Sequence, residues 1–478
     1  MANKKLTRTI AFLSALALSA GLAGCSSDTA DNGAEITSAD AVESTAAINT
    51  EQLSDEEQQA VNDAADSMLE DTELENKTVK WLAHYDLNPD TRGGSKSVAL
   101  EMFETKYGGE IKYYPTTWEN RWNDLSTSVL GGEGIDIFPF ETRALPKGIV
   151  SGMFTSVDDY VDMNSDIWKN TADYMELFNF GGKHYELCTG VSPEAVVIYS
   201  RKTIEENGFD DPWELYQNGE WNWDTFKGML LDFVDEENGR YGLDGYDYQK
   251  ALGTSAGAST LKLVNGRLEL DLNNPALDKA MWLAEDMYAN GLFLDKSKFN
   301  WSAQPQMMGE GNQLFYFCGT WALESAPELW STQIAAEDAA LVPVPCSPDF
   351  EEAYSIIPDG FLLCKGSGNP EGAVKYAECC IAASLDDNAK AISERKKKDD
   401  YGWTDSLLEQ YYACIEAAKE YPFYDLSYGI SDDYISAVTD NIMYNPFGGS
   451  SYAQGKEESG GVAQTLVDEI NAELDAVS

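Results

Sequence analysis

Few residues of this 478-residue chain are set up to make or break bonds. Gly253-Thr254-Ser255-Ala256-Gly257 fits the Gly-x-Ser-x-Gly pattern of a nucleophile elbow. That elbow needs a strand before the serine and a histidine after it in the chain. No apolar run precedes Gly253, and the two histidines, His84 and His184, both lie before Ser255. The segment therefore reads as a loop of small residues. Gly132-Glu133-Gly134 lacks the third glycine of a dinucleotide fingerprint, and neither a phosphate loop nor His-Glu-x-x-His occurs. Cys188, Cys318, Cys346, Cys364, Cys379, Cys380 and Cys414 stand at irregular spacings without a CxxC, which argues against a disulfide framework, zinc or haem. They read as small buried hydrophobes. The expectation is no catalytic residue, no metal and no cofactor. The aromatic residues, 12 Trp, 25 Tyr and 18 Phe, are more informative. Flat rings offer a ligand contact area, and a few placed polar groups orient it.

The elements that position these residues follow an α/β pattern. Thr78–Tyr85, Glu110–Tyr114 and Ile135–Phe140 read as strands. Between them, Val98, Ala99, Met102 and Phe103 mark one helix face and Trp122, Leu125 and Val129 another, each stopped by paired glycines. Strand–helix–strand–helix–strand with short links implies a parallel sheet, whose ligand sites lie at the carboxyl ends of the strands. That singles out Tyr85 and Asp86 after the first strand and Phe140, Glu141 and Arg143 after the third. Trp118 follows the second strand at the start of a helix. Ala195–Tyr199, Gln313–Cys318 and Phe361–Cys364 read as further strands, and helices are expected at 276–290, 320–330, 371–383, 404–420 and 461–475. Trp213, Trp221 and Trp223 read as packing residues. Arg395–Asp400 reads as a solvated turn or helix end.

The N-terminus reads as a secretory leader. Lys4, Lys5 and Arg8 precede an apolar run, Ile10–Ala20, too short for a bilayer core of ~30 Å. Leu22-Ala23-Gly24-Cys25 then resembles the bacterial lipobox, in which the cysteine is acylated. Two or more acyl chains would hold the protein on a membrane surface. Ser26–Asn76 carries 15 acidic residues and no Lys or Arg and reads as a tether. Within it, Ser54 and Glu57 form a capping box ahead of Val61, Ala64, Ala65, Met68 and Leu69 at helical spacing. The pattern leaves open whether this short helix docks on the body or stiffens the tether. The whole chain has a net charge of −49, which disfavours nucleic acid and anionic membrane surfaces as partners.

The order of segments resembles the extracellular solute-binding proteins of family 1, the capture components of carbohydrate ABC importers. Asp136-Ile137-Phe138 looks like that family's third strand. Gly182-Lys183-His184-Tyr185-Glu186-Leu187 resembles its Gly-Lys-x-Tyr-x-Leu segment, with Cys188 where proline is common. Val196–Lys202 with Glu206-Asn207-Gly208, Pro212-Trp213 with Trp221–Phe226, and Asp271–Gly291 match in order. Met307–Trp321, ending in Cys318-Gly319-Thr320-Trp321, matches the family's Gly-x-Trp block. The resemblance covers about residues 77–380.

It implies an α/β, two-lobed, periplasmic-binding-protein-like (type II) fold with a ligand cleft between the lobes. The division would be leader 1–24, acidic tether with a short helix 25–76, lobe 1 over 77–192 and 343–395, lobe 2 over 193–342, and lobe 2 with C-terminal helices over 396–478. The chain would cross between lobes near Gly190–Glu194, Pro343–Pro345 and residue 395. Sugars need aromatic platforms and a polar rim, so the expected ligand residues are Trp321, as a stacking platform, with Phe140, Glu141, Arg143, Tyr85, Asp86, Trp118, Tyr246 and Tyr428. Tyr248 and Tyr424 are weaker candidates. The implied protein is a non-enzymatic monomer on the extracellular face of the cell membrane, lipid-anchored through Cys25. Its expected partners are a carbohydrate and the ABC permease subunits. The competing readings are a binding protein for a peptide, polyamine or other cation, an anchored glycan-active enzyme, and a receptor serving a sensor kinase.

Overall fold

The computed structural model describes residues 52–89, 95–327 and 330–477. Cys25, the expected acylation site, lies outside the described residues. Helix α1 (Asp55–Met68) starts on a reciprocal cap, the Ser54 amide donating to Glu57 Oε2 at 3.0 Å and the Glu57 amide to Ser54 Oγ at 3.3 Å. Its buried face of Val61, Ala64 and Ala65 packs on helix α2 (Val98–Tyr107) and on the helices Pro370–Leu385 and Asp387–Tyr401. Arg395 lies 2.6 Å from Glu57, and Lys106 pairs with Asp66 at 2.8 Å. The short helix therefore docks on the body. Helix α2 stops at Gly108, whose φ of 63° is a left-handed conformation that suits glycine. Helix α3 (Arg121–Gly131) follows after the next strand.

In chain order the strands are β1 (Thr78–Ala83), β2 (Glu110–Pro115), β3 (Ile137–Pro139), β4 (Glu186–Pro193), β5 (Val196–Ser200), β6 (Asp244–Gly245), β7 (Leu261–Val264), β8 (Arg267–Leu270), β9 (Tyr316–Cys318), β10 (Ala339–Pro343), β11 (Tyr354–Leu363) and β12 (Pro422–Phe423). The first sheet runs β12-β11-β3-β1-β2, with β4 also paired to β11. β1 is parallel to both β2 and β3, as the alternation of strands and helices implied. The buried carboxylate of Asp136 fixes this end of the sheet. It accepts from the amide of Lys80 at 2.8 Å, the amide of Asn369 at 2.7 Å and Ser367 Oγ at 2.7 Å. The second sheet runs β10-β5-β9-β6, and β7 and β8 form a separate hairpin.

Two passages join the sheets. β4 ends at Pro193 and β5 begins at Val196, and residues 344–353 bring the chain back from β10 to β11. Residue 395, where a third crossing is expected, lies within the helix Asp387–Tyr401. The helix Asp387–Tyr401 stays packed against α1, and Gly402, at φ 68°, turns the chain into the helix Asp405–Glu420, which packs on β10. One hydrophobic core includes Phe138 of the first sheet, Val197 and Phe317 of the second, and Tyr424, Ile430 and Tyr434 of the C-terminal segment.

Several local expectations change. Of the helix expected over 320–330, the described residues show a turn at Thr320–Leu323 and a break before Pro327, which disfavours helical geometry in the residue ahead of it. β11 is longer than Phe361–Cys364. It runs straight through Pro358-Asp359-Gly360, a turn-like tripeptide, by way of a bulge between Asp359 and Gly360. A Cβ on Gly360 would lie 2.3 Å from the Leu187 carbonyl oxygen, so only glycine permits that pairing. Gly253 and Thr254 close the helix Tyr248–Thr254 rather than sitting in a loop. The Arg395–Asp400 run is helical and engaged. Arg395 joins Glu57 and Asp399, and Lys396 is buried.

Candidate functional site

Parallel strands β1, β2 and β3 end on one side of the first sheet, so the residues after them converge. Trp118 carries the Arg121 guanidinium 3.5 Å from its ring centroid, and the His84 ring meets it edge-on at 5.0 Å. Buried Arg121 also donates through Nε to both oxygens of Glu141, at 2.7 and 2.8 Å. Glu141 thereby fixes the cation that backs the indole. His84 and Tyr85 are in edge contact at 5.1 Å, and Trp81 Nε1 donates to the Tyr85 carbonyl at 2.9 Å. Burial, with the Arg121 charge second, pulls the His84 imidazole down to about 4, so it is neutral at pH 7. Asp86 accepts from the amide and the side chain of Asn88 at 3.0 and 2.8 Å.

The second sheet supplies a further aromatic pair. Trp321 follows β9 and is 57% exposed. A Cβ on Gly319 would lie 2.1 Å from its Nε1, so the indole rests on bare backbone there. Tyr246, after β6, lies 6.2 Å from the Trp321 ring. Glu324 lies three residues past Trp321 and is exposed. Asp359, on the β11 bulge, accepts from Ser192 Oγ at 2.8 and 3.0 Å. Its carboxyl is pushed up to about 6, first by its depth in the protein and then by the charge of Glu324, against the hydrogen bond from Ser192. Depth likewise raises the Tyr85 phenol, with Glu141, Glu324 and Asp359 adding to the shift. Tyr85 and Asp359 both meet solvent.

Tyr85, Asp86, Ser95, Tyr376 and Tyr401 line a cavity of about 310 Å³, to which the segment after β9 contributes Glu324. A larger depression, about 590 Å³, includes Glu70, Asn76, Tyr160, Asn369 and Lys375. Asn76 precedes β1, so that depression lies at the amino end of the sheet, the wrong end for a ligand of this architecture.

The expected site residues therefore divide. Tyr85, Asp86, Trp118 and Glu141 gather at the carboxyl ends of β1–β3, and Tyr246 and Trp321 stand together on the second lobe. Phe140 is a correction. It is 7% exposed and packed against Phe178 at 5.1 Å and Tyr424 at 5.9 Å, because its side chain turns into the core at the strand end. Arg143 faces Asp432 of the C-terminal segment at 3.7 Å. Tyr428 lies over Lys250 Nζ at 4.6 Å, in a buried polar group with Glu194. Tyr248 is core, stacked on Phe293 at 5.6 Å. Ser255 accepts from Trp223 Nε1 at 2.9 Å and donates to the Leu252 carbonyl, a packing role. Sequence reasoning missed Glu324 and Asp359. The distance of Glu324 from Trp321 was a usable signal, whereas Pro358-Asp359-Gly360 resembles a turn.

Residues 99–394 match the bacterial extracellular solute-binding protein family. The chain belongs to that family. This places the protein outside the cytoplasm, and among the described residues no helix is long and apolar enough to cross a membrane. The fold is that of sugar-binding ABC substrate-binding proteins. A cyclic α-maltosyl-1,6-maltose binding protein from Arthrobacter globiformis superposes with a TM-score of 0.59 at 13% identity, covering 82% of this chain and 99% of that one. An ABC substrate-binding protein from Listeria monocytogenes in complex with cycloalternan gives 0.57 at 14% identity, with 83% and 98% covered. The GacH receptor of Streptomyces glaucescens, described unliganded and with acarbose, gives 0.57 at 13%, with 82% and 98% covered. No curated protein sequence matches the chain significantly.

Proposed function

We propose that this is a lipid-anchored, monomeric solute-binding protein that captures a mono- or oligosaccharide between its lobes and presents it to the permease of an ABC importer. The observation that carries the reading is the cavity lined by Tyr85, Asp86, Tyr376 and Tyr401 together with Glu324 from the turn after β9, with Trp118 in ring contact with the neighbouring His84 and Trp321 beside Tyr246. Aromatic faces suit the C–H faces of a sugar, and Asp86, Glu324, Asp359 and Ser192 suit its hydroxyl edges. A ligand touching both lobes binds the closed form better than the open one, and that difference drives closure. Delivery then follows from docking of the closed form, with acylated Cys25 holding the protein near the permease. The chain itself performs no covalent chemistry.

The test is thermal unfolding of the protein against a panel of mono- and oligosaccharides. A ligand that binds only the native state raises the midpoint, so at least one sugar family shifts it. A panel without any shift, followed by a shift with a peptide or polyamine, would keep capture and overturn the sugar.

A further inference from the structure

Resting on that reading, the structure also bears on how the sugar cavity keeps its shape. Ser95 and Ser97 line it from the segment that leads into α2, and Tyr401 lines it from the last turn of the helix Asp387–Tyr401. These two parts of the chain are fastened together. Asp400 Oδ2 accepts from the Ser95 amide at 3.0 Å and from Ser95 Oγ at 2.8 Å. Buried Lys396 lies one turn earlier on the same helix face, and its ammonium donates to the Lys96 carbonyl. Lys96 Nζ in turn meets Glu104 of α2 at 2.8 Å. One helix therefore supplies a cavity residue, Tyr401, and also ties down the neighbouring edge.

The same helix is held by α1. Its Ala389 and Ile392 share a hydrophobic core with Val61, Ala64 and Ala65 of α1, and Arg395 Nε donates to Glu57 Oε1 at 2.6 Å. A helix moves as a stiff unit, so a displacement of its docked turns carries Lys396, Asp400 and Tyr401 with it. We propose that Asp400 and Lys396 are positioning residues of the sugar site, and that docked α1 holds them in register. The buried face of α1 is three small residues, so its release costs less than global unfolding. Once α1 is released, the cavity edge leaves its place part of the time. The apparent affinity then falls with the fraction of protein that remains competent to bind. The link is reciprocal, so bound sugar holds α1 on the body.

The experiment measures amide exchange by NMR and sugar affinity by calorimetry in the full protein and three variants. A panel of mono- and oligosaccharides that includes glucose, galactose, maltose and cellobiose is screened on wild type, and the tightest binder is used throughout. Val61→Asp lifts the whole buried face of α1 off the body, which loss of its cap does not. Asp400→Ala removes the fastening of Ser95, and Asp400→Asn keeps an acceptor oxygen for it. The expected result is that Val61→Asp and Asp400→Ala each speed exchange of the Ser95 amide and weaken the sugar about fivefold, while Asp400→Asn stays within about twofold of wild type. Saturating sugar should slow exchange across α1 in wild type by about the factor that Val61→Asp loses in affinity. If α1 exchanges freely in Val61→Asp while the Ser95 amide and the sugar affinity keep their wild-type values, the role of α1 is overturned. If Asp400→Ala binds as wild type does, or Asp400→Asn binds as weakly as Asp400→Ala, the positioning role is overturned and carbohydrate capture stands. The Asp400 variants leave α1 untouched, so they report even where Val61→Asp folds poorly. Ser95 exchange is read without ligand. If no sugar of the panel binds wild type, the carbohydrate reading falls, and the link from α1 to Ser95 stands or falls on that exchange alone.

Discussion

Glu194 follows β4 and Asp359 lies within β11, and the two carboxylates are held differently. Glu194 is dry, with Lys250 Nζ at 2.7 Å on one oxygen and the Ser355 hydroxyl on the other. Its amide also donates to the Ser355 carbonyl at 2.8 Å. The fold supplies both the counter-charge and the hydrogen bonds, so this group pins the connection between the sheets to the helix Tyr248–Thr254. Among the described residues the Asp359 carboxylate accepts a hydrogen bond from Ser192 alone, and it is exposed to solvent. The first arrangement is complete without a ligand. The second is not, and that difference separates a structural carboxylate from a candidate binding one.

Breaking the complete pair should have the largest effect. Lys250→Met leaves Glu194 buried and unpaired, which costs about 3–5 kcal/mol, read as a lower urea midpoint. A loss below about 1 kcal/mol would place Glu194 in contact with water and erase the contrast. Removing a platform comes next. Trp321→Ala or Trp118→Ala should weaken binding of the sugar that raises the midpoint most by about tenfold or more, ~1.4 kcal/mol, and leave unfolding nearly unchanged for exposed Trp321.

Asp359 gives a smaller effect of opposite sign. Its folded value of about 6 lies above the usual 3.8, so the unfolded chain ionises first as pH rises. Stability is full below about 4 and is lost as pH climbs through about 6. Asp359→Asn should therefore stabilise the empty protein at pH 7. Screening by cleft water holds the gain to about 1 kcal/mol. The gain should vanish by pH 4, and a gap that stays constant from pH 4 to 7 would contradict the account. The smallest effect belongs to the docked N-terminal helix. Ser54→Ala removes a cap worth about 0.5–1 kcal/mol, visible as faster amide exchange confined to Asp55–Met68.

The fold was legible where periodicity was strong. Thr78–Ala83, Glu110–Pro115 and the glycines ending α2 and α3 followed from local pattern, and the convergence of Tyr85, Asp86, Trp118 and Glu141 followed from parallel strand ends. Non-local contacts were not legible. Phe140 follows a strand end exactly as Glu141 does, but only the packing of Phe178 and Tyr424 decides that it turns inward. β11 was shortened because Pro358-Asp359-Gly360 has turn chemistry, which pairing with β4 overrides. That same error hid Asp359. Docking of α1 depended on partners as distant as Arg395, which no local pattern reveals.

The most direct test of carbohydrate capture between the lobes is calorimetric titration of the sugar panel into wild type and Trp321→Ala side by side. The account predicts saturable one-to-one binding of at least one sugar to wild type, weakened about tenfold or more in the variant. No binding by any sugar, or equal affinity in the two proteins, would contradict it.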